Sequence, residues 1–507
     1  MVDISMEAKV FEYNIEGEIP EDIKRHSDFI EIPFKVENEV DVLFIEFTGQ
    51  GAECRLGIGI IDSENHLRGW SAERRSKIYI SRGTVTPGYI PGDIIPGIWK
   101  VIVRLDSITS DGCRYRLRVV GYRTVLGNIR FDDVHRTLSY LTKTVNLVEY
   151  VRSLSDLIQI INYTYPCRDY SARAKGYSKI EDGAMWYRGD LHTHTIHSDG
   201  RNTVCELTML ARSRGLNFIA LTDHNTISQN YEISNYTYKD PLVIPGMEVT
   251  TFYGHMNLFN VRGYIDFRRR RREDFEKLID EVHSNGGLIS VNHPDVFREP
   301  MCRDCPFRHR DLRGFDAIEV WNGPWHILNS ESLLWWHNLL VEGHRVTAIG
   351  GSDYHGVDLT RLGEPTTWVY SSSSTIEGIL RGIKMGRVYI TYTPEGPFID
   401  MGAVDGDGNT YMIGDVIKML GDTAVELVIG VEGAKGSTLR IITANGVYRA
   451  VEISDDRFRY RDRIDFKGSR FVRVEVGRYS DPYKLIPYNY DDVLALTNPI
   501  YLESVGS

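Results

Sequence analysis

"RGDLHTHTIHSDG", residues 188–200, holds three histidines and two aspartates between positions 190 and 199. It continues the apolar run "AMWY" and so begins as a strand. Side chains alternate along a strand, which puts His192 and His194 on one side of it. Asp199 follows after a short turn. Parallel α/β domains present their functional groups just past strand ends, so the stretch predicts that later strands end in the same way.

Twelve of the 15 histidines fall between His192 and His355. "NFIALTDHN" delivers His224, "LVIPGMEVTT" delivers Glu248, and "YGHMNLFNV" opens on His255. "GLISVNHPD" delivers His293, and "VTAIGGSDYHG" delivers Asp353 and His355, a second period-two pair. Six imidazoles and three carboxylates exceed the ligand set of one tetrahedral zinc. Two or three divalent ions are therefore expected, and mixed nitrogen and oxygen ligation suits Zn²⁺, Mn²⁺ or Fe²⁺. Such ions activate a shared water and clamp charge in a displacement at phosphorus or carbon. His192, Asp199, His224 and Asp353 are the expected catalytic members of the set. Any one of these histidines alone reads as a satisfied core ring, but the joint pattern does not.

Around the ligands, Asp190, Asp223 and Asn292 are expected to orient metal-bound rings, with Asp223 equally readable as a helix N-cap. His197 reads as a solvent-facing ring, or else as a general acid at the pocket mouth. Arg201, Arg298 and Arg361 are candidate donors to an anionic substrate, and each is equally a surface ion-pair partner. Asn322, with Trp321 and Trp325 in "EVWNGPW", either shapes the pocket or packs.

The chain of 507 residues predicts two or three domains. A hydrophobic fraction of 42%, 29 tyrosines and no bilayer-length apolar run describe a folded, strand-rich protein. The formal charge of −11 works against nucleic-acid binding. The five arginines 268–272, followed at once by acidic residues and a helical apolar period, read as the opening of an exposed helix. No secretory signal is visible at the N-terminus, which predicts a cytoplasmic location. Six thinly spread cysteines do not resemble a disulfide framework. In the insertion-like "REPMCRDCPFRHRDL", Cys302, Cys305 and His309 either bind a further zinc, for which a structural site wants a fourth ligand, or belong to a plain loop with reduced thiols, the favoured expectation.

Texture divides the chain into a β-sandwich over 1–130, a helical linker and connector over 131–183, an α/β domain over 184–396 with a largely parallel sheet, and a small β domain over 397–507.

The motifs "HTHTIHSDG", "TDHN", "PGMEVT", "GH", "NHP" and "SDYH" resemble the PHP family, named from polymerase and histidinol phosphatase domains. The resemblance covers roughly residues 185–396. It implies a distorted (β/α)7 TIM-like barrel and a bi- or trinuclear site with His192, His194, Asp199, His224, Glu248, His255, His293, Asp353 and His355 as ligands. A closer similarity, on "GLNFIALTDHNT", "IPGMEVTTFYGHMN", "AIEVWNG", "LGEPTTWVYS" and "LTNPIYL" and extending to the β-rich flanks, is to the CehA/McbA branch. That branch is named for hydrolysis of a carbamate, whereas the wider family mostly cleaves phosphate esters. The expected activity is thus hydrolysis of a small-molecule ester, a phosphoester first and a carbamate or carboxyl ester second. A metal-stabilised binding module is the reading from another class.

Overall fold

In a computed structural model, the described residues are 8–51, 54–71, 75–83, 85–123, 183–233, 240–295, 306–356, 360–420, 425–464, 468–487 and 491–505. The expected linker over 131–183, Arg298, Cys302 and Cys305 therefore lie outside the described residues, apart from position 183. The chain forms two units. One holds residues 8–123 with the short segments 196–199 and 226–233, and the other holds the remainder.

The first unit contains β1 (Ala8–Ile19), β2 (Phe29–Val36), β3 (Val42–Gln50), β4 (Arg55–Ile61), β5 (Leu67–Trp70), β6 (Lys77–Ser81), β7 (Gly97–Ser107) and β8 (Cys113–Arg123). They make two antiparallel four-stranded sheets, ordered β1-β8-β3-β6 and β2-β7-β4-β5. Period-two burial explains the pairing. Ile32, Phe34 and Val36 of β2 alternate inward to meet Leu43, Ile45 and Phe47 of β3 in one core. Each such side chain contributes about 1.5–3 kcal/mol when fully buried.

Contrary to the expectation of unbonded cysteines, Cys54 and Cys113 form a disulfide with a sequence separation of 59, and Cys205 is also disulfide-bonded. Cys54 adjoins β4 and Cys113 opens β8, so the first bond ties one sheet of the sandwich to the other. Thin spacing along the sequence concealed a pair that folding brings together. Disulfides characterise oxidising compartments and the intracellular proteins of hyperthermophiles. Among the described residues no helix is long and apolar enough to cross a membrane.

The second unit is mixed α/β, with few helices and many strands. Its α/β part contains β9 (Met185–Asp190), β10 (Phe218–Leu221), β11 (Leu242–Thr251), β12 (Gly254–Phe259), β13 (Leu288–Asn292), β14 (Ala317–Asn322), β15 (Thr347–Gly351), β16 (Thr366–Ser371) and β17 (Val388–Thr391). Helices α1 (Val204–Ser213), α3 (Arg272–Ser284), α4 (Ile327–Glu342) and α5 (Ile376–Lys384) lie between them, while the four-residue α2 (Asn230–Ile233) falls in the first unit. Local chemistry sets the helix ends. Thr203 and Glu206 close a capping box on α1, and Gly343 ends α4 at φ 94°. The arginine run behaves as expected: α3 starts at Arg272, Arg269 pairs with Glu281, and Arg272 pairs with Glu276.

The sheet order is β15-β14-β13-β12-β11-β10-β9-β16-β17. The expectation of a largely parallel sheet is corrected. Pairs β9/β10, β10/β11, β13/β14 and β14/β15 are parallel, but β11/β12, β12/β13, β9/β16 and β16/β17 are antiparallel. The physical reason is that β11 and β12 are joined by only Phe252 and Tyr253, too short a connection for a parallel crossover. Side chains link β15 back toward β16 and β17. Thr367 Oγ1 accepts from the Gly350 amide at 2.9 Å, and Asn498 bonds both Ala348 and Val388.

The C-terminal strands are β18 (Phe398–Val404), β19 (Thr410–Met412), β20 (Val416–Leu420), β21 (Val425–Glu432), β22 (Thr438–Thr443), β23 (Gly446–Glu452), β24 (Arg457–Ile464), β25 (Phe471–Arg478), β26 (Asp492–Thr497) and β27 (Ile500–Val505). Strand β26 pairs with β17, so the large sheet runs on to β25, β22 and β23 and reaches 15 strands with β20 and β27. A second sheet, β19-β18-β21-β24, shares an apolar core with it through Ile399, Leu427, Ile441 and Val474.

Candidate metal centre

Strand ends β9, β11, β12, β13 and β15 bring together most of the residues singled out from the sequence. Around Glu248 Oε1, His192 Nε2, His255 Nδ1 and His293 Nε2 each stand at 3.3 Å. Ligand atoms bonded to one tetrahedral ion at zinc distances lie about 3.3 Å apart. His192 Nε2 is also 3.3 Å from Asp353 Oδ1, and His194 Nε2 is 3.0 Å from the same oxygen. His224 Nδ1 lies 2.7 Å from Glu248 Oε2.

Three groups of possible ligands result: His192 with Glu248 and His293, His192 with His194 and Asp353, and His194 with His224 and His355. His192 and His194 belong to two groups each, so the groups form a chain. Its inner end is closed, since His192 and Glu248 have no exposed side-chain surface, and its outer end is open, with His224 at 22% and His355 at 24%. Asp199 lies in the 196–199 segment that groups with the sandwich strands.

The donor set fits a cation. His192 Nε2 and both ring nitrogens of His255 are buried yet make no aligned hydrogen bond, a costly state for a polar atom with no further partner. Burial drives the His255 pKa down to about 4 against the pull of Glu248, which leaves a neutral ring. Burial also opposes charge on His192, but the nearby Asp353, Glu319 and Glu248 carboxylates outweigh it and raise its pKa well above the ordinary value. For Glu248 the histidines His192, His224 and His255 outweigh burial, and its pKa falls well below the carboxylate range.

Hydrogen bonds on the far side of the rings fix their tautomers. His192 Nδ1 donates to Glu319 Oε1 at 2.9 Å, and His355 Nδ1 donates to the Asp353 carbonyl at 2.7 Å. Each therefore turns Nε2 toward the centre, where a bound cation would take its lone pair. Glu319 was not singled out from the sequence. It also accepts from the His293 amide at 2.9 Å and from Asn322 Nδ2 at 3.1 Å, which makes it the hub behind two candidate ligands. A carboxylate inside the apolar run "AIEVW" was the available signal, because Glu is rarely buried without a partner.

Asp190 accepts from the His192 and Ser352 amides, the Ser352 hydroxyl and the Gly363 amide, and burial raises its pKa to about 6. Asn292 donates to Glu248 Oε1 at 2.9 Å. Asp223 caps no helix. It accepts from the Thr195 amide and hydroxyl at 2.9 and 2.8 Å, beside His194. Backbone strain gathers at the same place, with positive φ at Asn225, His293 and Asp353. Gly351 is required too, since a Cβ there would strike His192 Cβ and Glu319 Oε1.

The solvent-facing reading of His197 is corrected. The ring is 4% exposed, with Nδ1 2.7 Å from Ser228 Oγ and Nε2 2.9 Å from Glu232 Oε1, because segments 196–199 and 226–233 fold together. Of the candidate substrate residues, Arg201 and Arg361 are exposed, and the Arg201 amide donates to the His355 carbonyl. Asn322 is buried with its amide nitrogen given to Glu319. Trp321 is fully buried against Trp325 and Tyr392, which is packing. His309 stacks on Tyr253 and bonds the Arg270 carbonyl at 3.2 Å.

No protein-family model matches the chain. An uncharacterized protein of Methanocaldococcus jannaschii is 26% identical over 147 residues, which is 27% of this chain and 81% of that protein. A two-domain protein of Bacteroides vulgatus containing a predicted PHP-like metal-dependent phosphoesterase aligns over 65% of this chain and 100% of its own, at 17% identity and a TM-score of 0.35. An amidohydrolase from Chromobacterium violaceum aligns over 34% of this chain and 89% of its own, at 17% identity and a TM-score of 0.24.

Proposed function

We propose that the chain is a metal-dependent hydrolase of the PHP type, acting as a phosphoesterase on a small-molecule substrate. The observation that carries this reading is the ring of three imidazole nitrogens at 3.3 Å around Glu248 Oε1, continued by His194 and Asp353. In this reading the strands from β9 to β17 form a distorted barrel, supported by the Thr367 and Asn498 links between its edges. His192, His194, His224, Glu248, His255, His293, Asp353 and His355 hold two or three divalent ions. Asp199, five positions beyond His194 in the sequence, is a further carboxylate ligand.

When bound, the ions would supply an activated water and neutralise charge that builds on the substrate oxygens. The protein's part is to hold the ligands in place. Glu319 locks the tautomer of His192 and anchors the His293 backbone, Asn292 orients Glu248, and Asp190 ties the His192 loop to Ser352. Substrate enters past His224 and His355, the partly exposed rings, where Arg201 is near enough through the His355 backbone to meet an anionic group.

The test is metal analysis of the purified protein, then assays on a phosphate monoester, a phosphodiester, a carbamate and a carboxyl ester after loading with Zn²⁺, Mn²⁺ or Fe²⁺. Metal-dependent turnover of phosphates supports the proposal. Turnover of the carbamate or carboxyl ester alone moves the activity to carbonyl chemistry. Tight metal binding with no turnover of any substrate would overturn the phosphoesterase reading in favour of a binding module.

A further inference from the structure

On the C-terminal part of the large sheet, Arg440 of β22 stands opposite Glu475 of β25, and Arg473 lies two residues along on the same face. These side chains point away from the apolar core that Leu439, Ile441 and Val474 enter. All three charged residues are 0% exposed. Arg473 Nη1 donates to Glu475 Oε1 at 2.6 Å, and Arg440 Nη1 is 3.6 Å from Glu475 Oε2. Arg440 Nη2 donates to the carbonyls of Lys484 and Leu485 at 2.7 and 2.8 Å. The guanidinium of Arg473 lies 5.1 Å over the Trp336 ring of α4, and that of Arg440 lies 4.4 Å over Tyr479.

Two guanidiniums, always protonated, thus share one buried carboxylate. Neither His337 nor Tyr479 supplies a second negative charge. Burial, with the Arg473 charge, lowers the His337 pKa to about 3, and burial keeps the Tyr479 hydroxyl neutral. Asp491, which also faces Tyr479, accepts from the Ser480 amide and hydroxyl through Oδ1. Once these contacts are made, Arg440 Nε and Nη1, Arg473 Nε and Nη2, and the Tyr479 hydroxyl make no hydrogen bond. Nε and Nη2 form one whole edge of the Arg473 guanidinium, the edge that takes anions side-on. Glu475 Oε2 is likewise without a hydrogen bond. A buried cation with an unpaired donor edge is expensive, so the surplus charge and the idle donors call for the same kind of partner.

We propose that Arg440, Arg473 and Tyr479 bind a small monovalent inorganic anion of halide size, buried under α4. One negative charge answers the excess of two guanidiniums over the Glu475 carboxylate they share. A spherical ion accepts N–H and O–H groups from several directions, whereas full burial disfavours a bulky phosphate ester. Glu475 competes with the anion for both arginines and so sets its affinity.

The experiment uses the full chain loaded with metal. Its melting temperature is followed as sodium gluconate is replaced by sodium chloride at constant ionic strength, and bromide is located by anomalous diffraction in soaked crystals. The proposal expects the melting temperature to rise with chloride and a bromide peak within hydrogen-bond distance of Arg440, Arg473 and Tyr479. Tyr479→Phe should weaken the chloride midpoint about tenfold, the loss of one hydrogen bond to a charged group, and Glu475→Gln should strengthen it. Water as the only occupant, seen as no bromide peak and equal melting in both salts, overturns the proposal. So does a chloride response that neither substitution changes.

Discussion

The histidine cluster at the ends of β9 to β15 and the arginine cluster on β22 and β25 belong to one continuous sheet, yet they lack opposite things. At the first, carboxylates and imidazoles crowd together, and His192 Nε2 and both ring nitrogens of His255 make no aligned hydrogen bond. At the second, Arg440 Nε and Nη1, Arg473 Nε and Nη2 and the Tyr479 hydroxyl make no hydrogen bond. One cluster sits past strand ends and opens to solvent through His224 and His355, whereas the other sits in mid-strand and is covered. The contrast teaches that burial alone does not define a site. The sign of the unmet hydrogen-bonding capacity says which ligand a buried cluster fits, and its position along the strand says whether a substrate can reach it.

The largest effect should come from His192→Ala, which removes the ring shared by two ligand groups. Metal content measured by elemental analysis should fall, and hydrolysis should drop to background while the circular dichroism spectrum persists. Retained metal and activity would show that His192 is not a ligand. Glu319→Gln keeps the size of the side chain but weakens the charge-assisted hold on His192. Metal affinity, read by competition with a chelator, should weaken about 10–100-fold.

The arginine cluster should instead show its loss as stability. Arg440→Met leaves the Arg473–Glu475 pair intact and removes the surplus charge, so chloride dependence of melting should vanish. Arg473→Met breaks that buried pair, and denaturant unfolding should register a loss of about 3–5 kcal/mol.

Acid should touch both clusters in the metal-free protein. Folded-state pKa values of about 4 for His255 and about 3 for His337 lie below the ordinary 6.5. Depressed histidine values mean that the unfolded chain binds these protons first, so stability rises with pH. The contribution is whole above about 6.5 and declines as pH falls toward about 4. His192 and Asp190, raised instead, pull the other way over part of this range, so the effect is read by difference: between pH 7 and 5 the urea midpoint of His337→Phe should fall by less than that of the parent chain. Arg361→Ala is the small end of the scale. The residue is exposed, so stability should change by no more than about 0.5 kcal/mol, and any effect should appear in KM for an anionic ester.

Much of the histidine cluster was legible because strand ends are local features. An apolar run followed by a metal-competent residue is visible in "NFIALTDHN" without knowing what lies beside it. Glu319 was not legible as a hub, since its partners His192 and His293 are 127 and 26 positions away. The arginine cluster was hidden more completely. "RVEV" in β25 alternates as a half-exposed strand would, and only the packing of α4 over that face turns Arg473 and Glu475 into buried charges. The disulfide between Cys54 and Cys113 was missed for a related reason, as spacing carries no information about which strands face each other across a sandwich.

Strands, the alternation of the sandwich and the crowding of metal-competent side chains at strand ends can be read locally, because period, capping and side-chain chemistry act over a few residues. Only the folded chain fixes the unbroken passage from β17 into β26, the burial of His197 and the sharing of Glu475 by two arginines. Each of these depends on which distant segments meet, and contact between distant segments is set by the packing of the whole chain.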